Sequence, residues 1–342
     1  MNARPDTASA LAGLKDFQRA TVDHVFGRFY GDEPTRRFLV ADEVGLGKTL
    51  VARGVIARTI DHLWNDVKRI DIIYVCSNAD IARQNVQRLN IPGCNATTQS
   101  TRLTLLPTRI HDLDKHRVNF VALTPSTSFE QSGYGGRIDE RALLYRLLHE
   151  PWEIGNSRKA LNVLSEHAKV ESLVRHIGWL DPATINESIA REFRETLASS
   201  IAKDKAEGKT DLRTRFDELM QDYCRSDIFP GNDAHNRRAR WLGEMRRLLA
   251  RVCLKALQPD LVIFDEFQRF SHLLHEESDS GELARELIDS EADFGARLLL
   301  LSATPYKSLA LHHEREGNPA SEFVSLVNFL ENKPETDFHR LL

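Results

Sequence analysis

A chain of 342 residues, 41% apolar and 28% charged, has the balance of a globular protein with room for one or two cores. Its formal net charge of −4 gives no overall pull toward nucleic acid or an anionic membrane, so any such binding must come from a local patch. No signal-like N-terminus, spanning apolar run or C-x-x-C pair occurs, and a cytoplasmic protein without membrane segment, disulfide or zinc site is expected.

In chain order, the first segment of interest is "LKDFQRATVDHVF", in which Gln18 offers an amide with both donor and acceptor, as recognition of adenine through N6 and N7 requires. The short apolar run "RFLVA" at 37–41 then predicts a buried strand. It leads into "DEVGLGKT", and from there into "KTLVARGVIARTIDHLW", whose Leu50, Val51, Val55, Ile56, Ile60 and Leu63 recur at helical spacing. A strand, a glycine turn and a helix in that order form the setting in which backbone N–H groups wrap phosphate. The general pattern G-x-x-x-x-G-K-[ST] is met at Gly47, Lys48 and Thr49, but Asp42 stands where it asks for its first glycine. In this reading Glu43, Val44, Gly45, Leu46, Gly47, Lys48, Thr49 and Leu50 bind the nucleotide. Lys48 neutralises the outer phosphates and the Thr49 hydroxyl holds Mg²⁺. The plainer reading is an ordinary strand-to-helix loop with a surface lysine.

Further apolar runs predict strands at 70–77, 118–124, 260–266 and 296–304, and "NADIARQNVQRL" repeats Ile81, Val86 and Leu89 at helical spacing. Strands alternating with helices indicate an α/β domain with a parallel sheet whose ligands bind at the carboxyl ends of the strands. The alternation stops after Phe129. A glycine-rich turn, "QSGYGGR", opens a stretch read as helices at 139–149, 158–176, 184–206, 211–223 and 236–257. The last of these carries Arg237, Arg238, Arg240, Arg246, Arg247, Arg251 and Lys255 against the single acid Glu244, with Leu242, Met245, Leu249 and Val252 as its core stripe. Its basic face either meets a phosphate backbone or pairs with carboxylates such as Asp217, Glu218 and Asp222 of a neighbouring helix.

After this stretch "LVIFDEFQ" places Asp265 and Glu266 at the end of a buried strand. Phosphoryl transfer needs a carboxylate to hold the metal, here Asp265, and a group to orient or deprotonate the attacking water, here Glu266. "LLLLSATPYK" sets Ser302, Ala303 and Thr304 behind the last strand, at the same edge of the sheet, as candidates for linking the γ-phosphate region to a neighbouring domain.

These segments in this order resemble superfamily 2 helicases and translocases, most of all the Swi2/Snf2-type branch. "ADEVGLGKT" is similar to the nucleotide loop of the bacterial Swi2/Snf2-type factors that recycle RNA polymerase. In that superfamily the loop dispenses with the first glycine, so Asp42 is no defect. The resemblance covers about 15–129 and 257–333 and implies a RecA-like P-loop fold of class α/β, its parallel sheet flanked by helices, carrying a large all-helical insertion. The expected division is 1–129 and 257–342 for the two parts of that lobe and 130–256 for the insertion. The implied roles are adenine reading by Gln18, catalysis by Lys48, Asp265 and Glu266, and coupling by Ser302, Ala303 and Thr304. Mg²⁺ would be held by Thr49 and Asp265. "YVCSNADIARQ" and "ALTPSTSF" are similar to segments that touch the nucleic-acid backbone in relatives, which points to Ser77, Asn78, Thr124 and Pro125.

The implied cofactors are ATP and Mg²⁺. The implied partners are DNA, duplex in the first place, or RNA, and a second RecA-like lobe from the same longer chain or from a partner. No membrane partner and no small-molecule substrate besides ATP are expected. Two departures stand out: motif II reads Asp-Glu-Phe-Gln in place of Asp-Glu-Ala-His or Asp-Glu-Ala-Asp, and 217 residues separate Lys48 from Asp265, as an insertion requires. Without the second lobe, weak binding and poor hydrolysis of ATP are expected. The alternative function is a non-motor ATP-binding switch or docking module whose helical insertion binds a protein.

Overall fold

The computed structural model of the chain describes residues 4–42, 45–76, 79–94, 98–100, 102–124, 135–224, 231–267, 287, 295–303, 327 and 329–331. Among these residues six strands form one sheet: β1 (Arg37–Ala41), β2 (Ile70–Val75), β3 (Thr98–Ser100), β4 (Val118–Leu123), β5 (Leu261–Asp265) and β6 (Arg297–Ser302). Their spatial order is β1-β6-β5-β2-β4-β3, and every pairing is parallel. The five apolar runs thus become strands within two residues of their expected ends. Strand β3 was not anticipated: "TQS" has no apolar signature and, among the described residues, pairs on one side only, with β4.

Side chains on alternate residues of the strands serve two different cores. Ile72, Tyr74, Phe120, Ala122, Ile263, Leu299 and Leu301 face a layer of four helices, α1 (Thr7–Ala12), α2 (Asp16–Tyr30), α3 (Lys48–Leu63) and α4 (Ala79–Leu89). Val51, Val55, Ile56 and Ile60 are the buried stripe of α3. Leu50, expected on that stripe, is instead 40% exposed, because it sits in the first turn, where the helix leaves the loop.

Ile73, Val75, Val121, Leu123, Val262, Phe264, Leu298 and Leu300 point the other way. They pack with a 3-10 segment (Leu103–Thr108), α5 (Ile110–Asp114) and the helices that fall between β4 and β5. These last are α6 (Ile138–His149), α7 (Arg158–Ser165), α8 (Val170–Trp179), α9 (Glu187–Ala206), α10 (Leu212–Asp222) and α11 (Asn232–Leu257). The stretch expected as an insertion therefore shares one hydrophobic core with the sheet. The single helix expected at 158–176 is two, because Glu166 takes φ 52° and leaves the helix. Its carboxylate accepts from the Gly135 N–H at 3.0 Å and pairs with Arg141 at 2.9 Å.

Of the two readings of the basic helix, ion pairing within the fold accounts for several arginines of α11. Leu242, Met245, Leu249 and Val252 are buried as expected, and Arg238 and Arg246 are buried with them. Arg246 meets Glu140 of α6 at 3.0 Å, and Arg237 pairs with Asp222 and with Asp233, each at 2.7 Å. Arg238 stacks over the Tyr223 ring at 4.4 Å, while Arg240 and Lys255 are exposed.

Candidate functional site at the carboxyl edge of the sheet

The turn from β1 into α3 carries two glycines in left-handed backbone, Gly45 at φ 93° and Gly47 at φ 88°. A side-chain-bearing residue pays about 1–2 kcal/mol for that conformation, so the spacing of the glycines follows from the path of the loop. Gly47 caps α3, and the N–H groups of Leu50 and Val51 already bond to its carbonyl at 2.8 and 3.1 Å. Lys48 reaches back across the loop and donates to the Asp42 carbonyl at 2.8 Å. Thr49 lies in the first helical turn, and Leu46 beside it is 42% exposed. Glu43 and Val44 lie outside the described residues.

Gln18 is buried against this loop. Its amide nitrogen donates to the Leu46 carbonyl at 3.0 Å, and its oxygen accepts from the Lys15 N–H at 3.0 Å, which closes the start of α2. A Cβ at position 47 would stand 2.5 Å from that amide nitrogen, which gives Gly47 a second reason to be glycine. Each end of the Gln18 amide thus has one partner within the chain, and a second N–H and a second oxygen lone pair remain beyond these two bonds.

Three strands bring the remaining candidates to the same edge. Ser302 ends β6 opposite Ala41 of β1, and Asp265 ends β5 opposite Leu301. Because β6 lies between β1 and β5, Ser302 stands between the loop and Asp265. Ala303 follows it, and Thr304 lies outside the described residues. Glu266 takes φ 56°, a conformation that costs a residue with a side chain about 1–2 kcal/mol and that Glu153, Glu166 and Gln258 adopt elsewhere in the fold. Thr124, buried, follows β4 at this edge, while Ser77, Asn78 and Pro125 lie outside the described residues.

Asp265 has partners that sequence reasoning missed. The Tyr74 hydroxyl of β2 donates a short hydrogen bond to Asp265 Oδ2, and Asn85 Nδ2 of α4 reaches the same oxygen at 3.2 Å and the Tyr74 hydroxyl at 2.9 Å. Burial and the Asp265 carboxylate push the Tyr74 hydroxyl far above its usual range, so it keeps its proton and donates it to the carboxylate. The one signal in the sequence was a tyrosine set among Ile72, Ile73 and Val75 in a buried strand, since a buried hydroxyl seeks a partner.

The donor set suits a hard cation. Mg²⁺ takes oxygen ligands, commonly one or two carboxylates completed by phosphates and water, and the Thr49 hydroxyl and Asp265 carboxylate are of that kind. Asp265 Oδ1 accepts no hydrogen bond among the described residues, whereas Oδ2 accepts two. No cluster of three or more His, Cys, Asp or Glu that could hold a metal by itself occurs among the described residues.

Neither a protein-family model, nor a curated protein, nor a solved structure matches the chain. The class is thus defined by the chain's own geometry: a mixed α/β fold with an all-parallel sheet flanked by helices. No helix among the described residues is long and apolar enough to cross a membrane.

Proposed function

We propose that this chain is the ATP-binding lobe of a nucleic-acid-dependent ATPase of the superfamily 2, Swi2/Snf2-like kind, with a RecA-like core. One observation carries the reading: two left-handed glycines and Lys48 join β1 to the start of α3 at the same sheet edge as Asp265 and Glu266. The backbone N–H groups of the loop and the N-terminus of α3 bind phosphate, and Lys48 exchanges the Asp42 carbonyl for phosphate oxygens. Thr49 and Asp265 hold Mg²⁺, which when bound neutralises charge developing on the transferred phosphoryl group. Glu266, which follows Asp265 at the end of β5, accepts the proton of the attacking water. Ser302, Ala303 and Thr304 link this region to a second lobe. Ser77, Asn78, Thr124 and Pro125 contact the backbone of DNA or RNA.

Hydrolysis of ATP by the intact protein, measured with and without duplex DNA and RNA, tests the reading. Stimulation by one of them is expected, and Glu266→Gln lowers the rate by roughly 10²–10⁴-fold while nucleotide still binds. Absence of stimulation by either nucleic acid sinks the motor reading. A non-motor switch that docks a protein is the second reading. It is favoured by α8, which exposes Val174 and 72% of Trp179, a residue type that commonly anchors interfaces.

A further inference from the structure

Asp265 is the only charged member of a three-residue hydrogen-bonded group that joins β5, β2 and α4. Tyr74 lies on β2 opposite Ile263, two residues before Asp265, so the parallel register delivers its ring to the strand end where the carboxylate sits. The hydroxyl is buried and spends its proton on Oδ2 and a lone pair on Asn85. Asn85 in turn shares its amide between both. A carboxylate offers about four acceptor sites. Here the donors converge on one oxygen and leave the other unengaged among the described residues. Two donors on one oxygen also fix the rotation of the group, because turning the side chain breaks both bonds together.

We infer that Tyr74 and Asn85 are positioning residues that hold the Asp265 carboxylate with Oδ1 presented for a divalent cation, and that Asn85 makes the position of α4 felt at that ligand. The inference rests on the reading of Asp265 as the magnesium ligand. Partners that orient a metal's ligands without touching the metal commonly change affinity by roughly 10- to 100-fold when removed. Tyr74→Phe keeps the ring in the core and deletes only the donor. Asn85→Ala removes the amide from a half-buried site on a helix.

Mn²⁺, used in place of Mg²⁺ and followed by electron paramagnetic resonance, is titrated into the intact protein saturated with a non-hydrolysable ATP analogue. Affinity for the same analogue is measured separately in chelator. In Tyr74→Phe, Mn²⁺ binding weakens by roughly 10- to 100-fold, while metal-free analogue binding and the melting temperature stay near the parent values. Asn85→Ala shifts Mn²⁺ affinity in the same direction by less. In hydrolysis assays the loss appears as a raised Mg²⁺ requirement that excess Mg²⁺ largely restores, which a general loosening of the fold would not give. Parental Mn²⁺ affinity in both variants overturns the inference alone and leaves the nucleotide site standing. Failure of the parent protein to bind Mn²⁺ with the analogue overturns both. Should Tyr74→Phe not fold, Asn85→Ala decides by the same readout.

Discussion

Asp260, on the residue scale, shows what burial does to a carboxylate at the opposite end of β5 from Asp265. It accepts from the Asp71 N–H at 2.8 Å, yet burial and the neighbouring Asp71 carboxylate push it up to about 6, against the pull of that bond and of Arg69. An acid whose folded pKa stands above its unfolded value of about 3.9 stabilises the fold fully below pH ~4, and that contribution is lost as the pH rises through about 6. Asp260→Asn therefore stabilises the protein at pH 7.5, by at most about 3 kcal/mol, and the gain vanishes near pH 4. Chemical denaturation of both proteins across that range checks this, and a difference independent of pH refutes it. Single residues of the candidate site were legible because the loop "GLGKT" and the pair Asp265-Glu266 are local patterns. Tyr74 and Asn85 were not, because they reach Asp265 across 191 and 180 residues of chain.

On the scale of elements, Glu140 is the lock between α6 and α11. It is fully buried, and Oε1 takes Thr104 at 2.5 Å and Arg246 at 3.0 Å, while Oε2 takes the Arg137 N–H at 2.6 Å and Arg102 at 3.3 Å. Burial opposes its ionisation, but Arg246, Thr104, Arg137 and Arg102 outweigh it and hold the carboxyl below its usual range. Removing one member of a buried pair leaves an uncompensated charge, so Glu140→Ala costs about 3–5 kcal/mol. Replacing Glu140 and Arg246 together by methionine recovers most of that loss. Urea unfolding of the two single variants and the double variant gives the coupling, and additive losses refute the lock. Helix periodicity found α6, α9, α10 and α11 because their apolar stripes are regular. It missed the break at Glu166, since the cause lies in Arg141 and Gly135 and not in the residues around it.

The whole molecule is organised by its sheet, whose two faces feed two cores. Excision of 138–257 as a self-contained insertion would bare Ile73, Val75, Val121, Leu123, Val262 and Phe264 to water. At roughly 25 cal/mol per Å² of apolar surface, one sheet face outweighs the few kcal/mol by which domains are stable. The shortened chain is expected to aggregate. In the intact protein, fluorescence of Trp152 and Trp241 and far-UV circular dichroism should report one coincident transition. Two separated transitions, with the tryptophans melting apart from the rest, contradict a shared core.

The strand runs and the glycine-lysine loop were readable from the one-dimensional pattern, because parallel strands buried on both faces are continuously apolar and the residues of the loop are adjacent in the chain. Strand order, the fusion of the helical stretch with the sheet, the inward turn of Arg238 and Arg246, and the grip of Tyr74 and Asn85 on Asp265 belong to the folded chain alone. Each depends on groups brought together from distant parts of the chain, where buried polar atoms must find partners that no local spacing reveals.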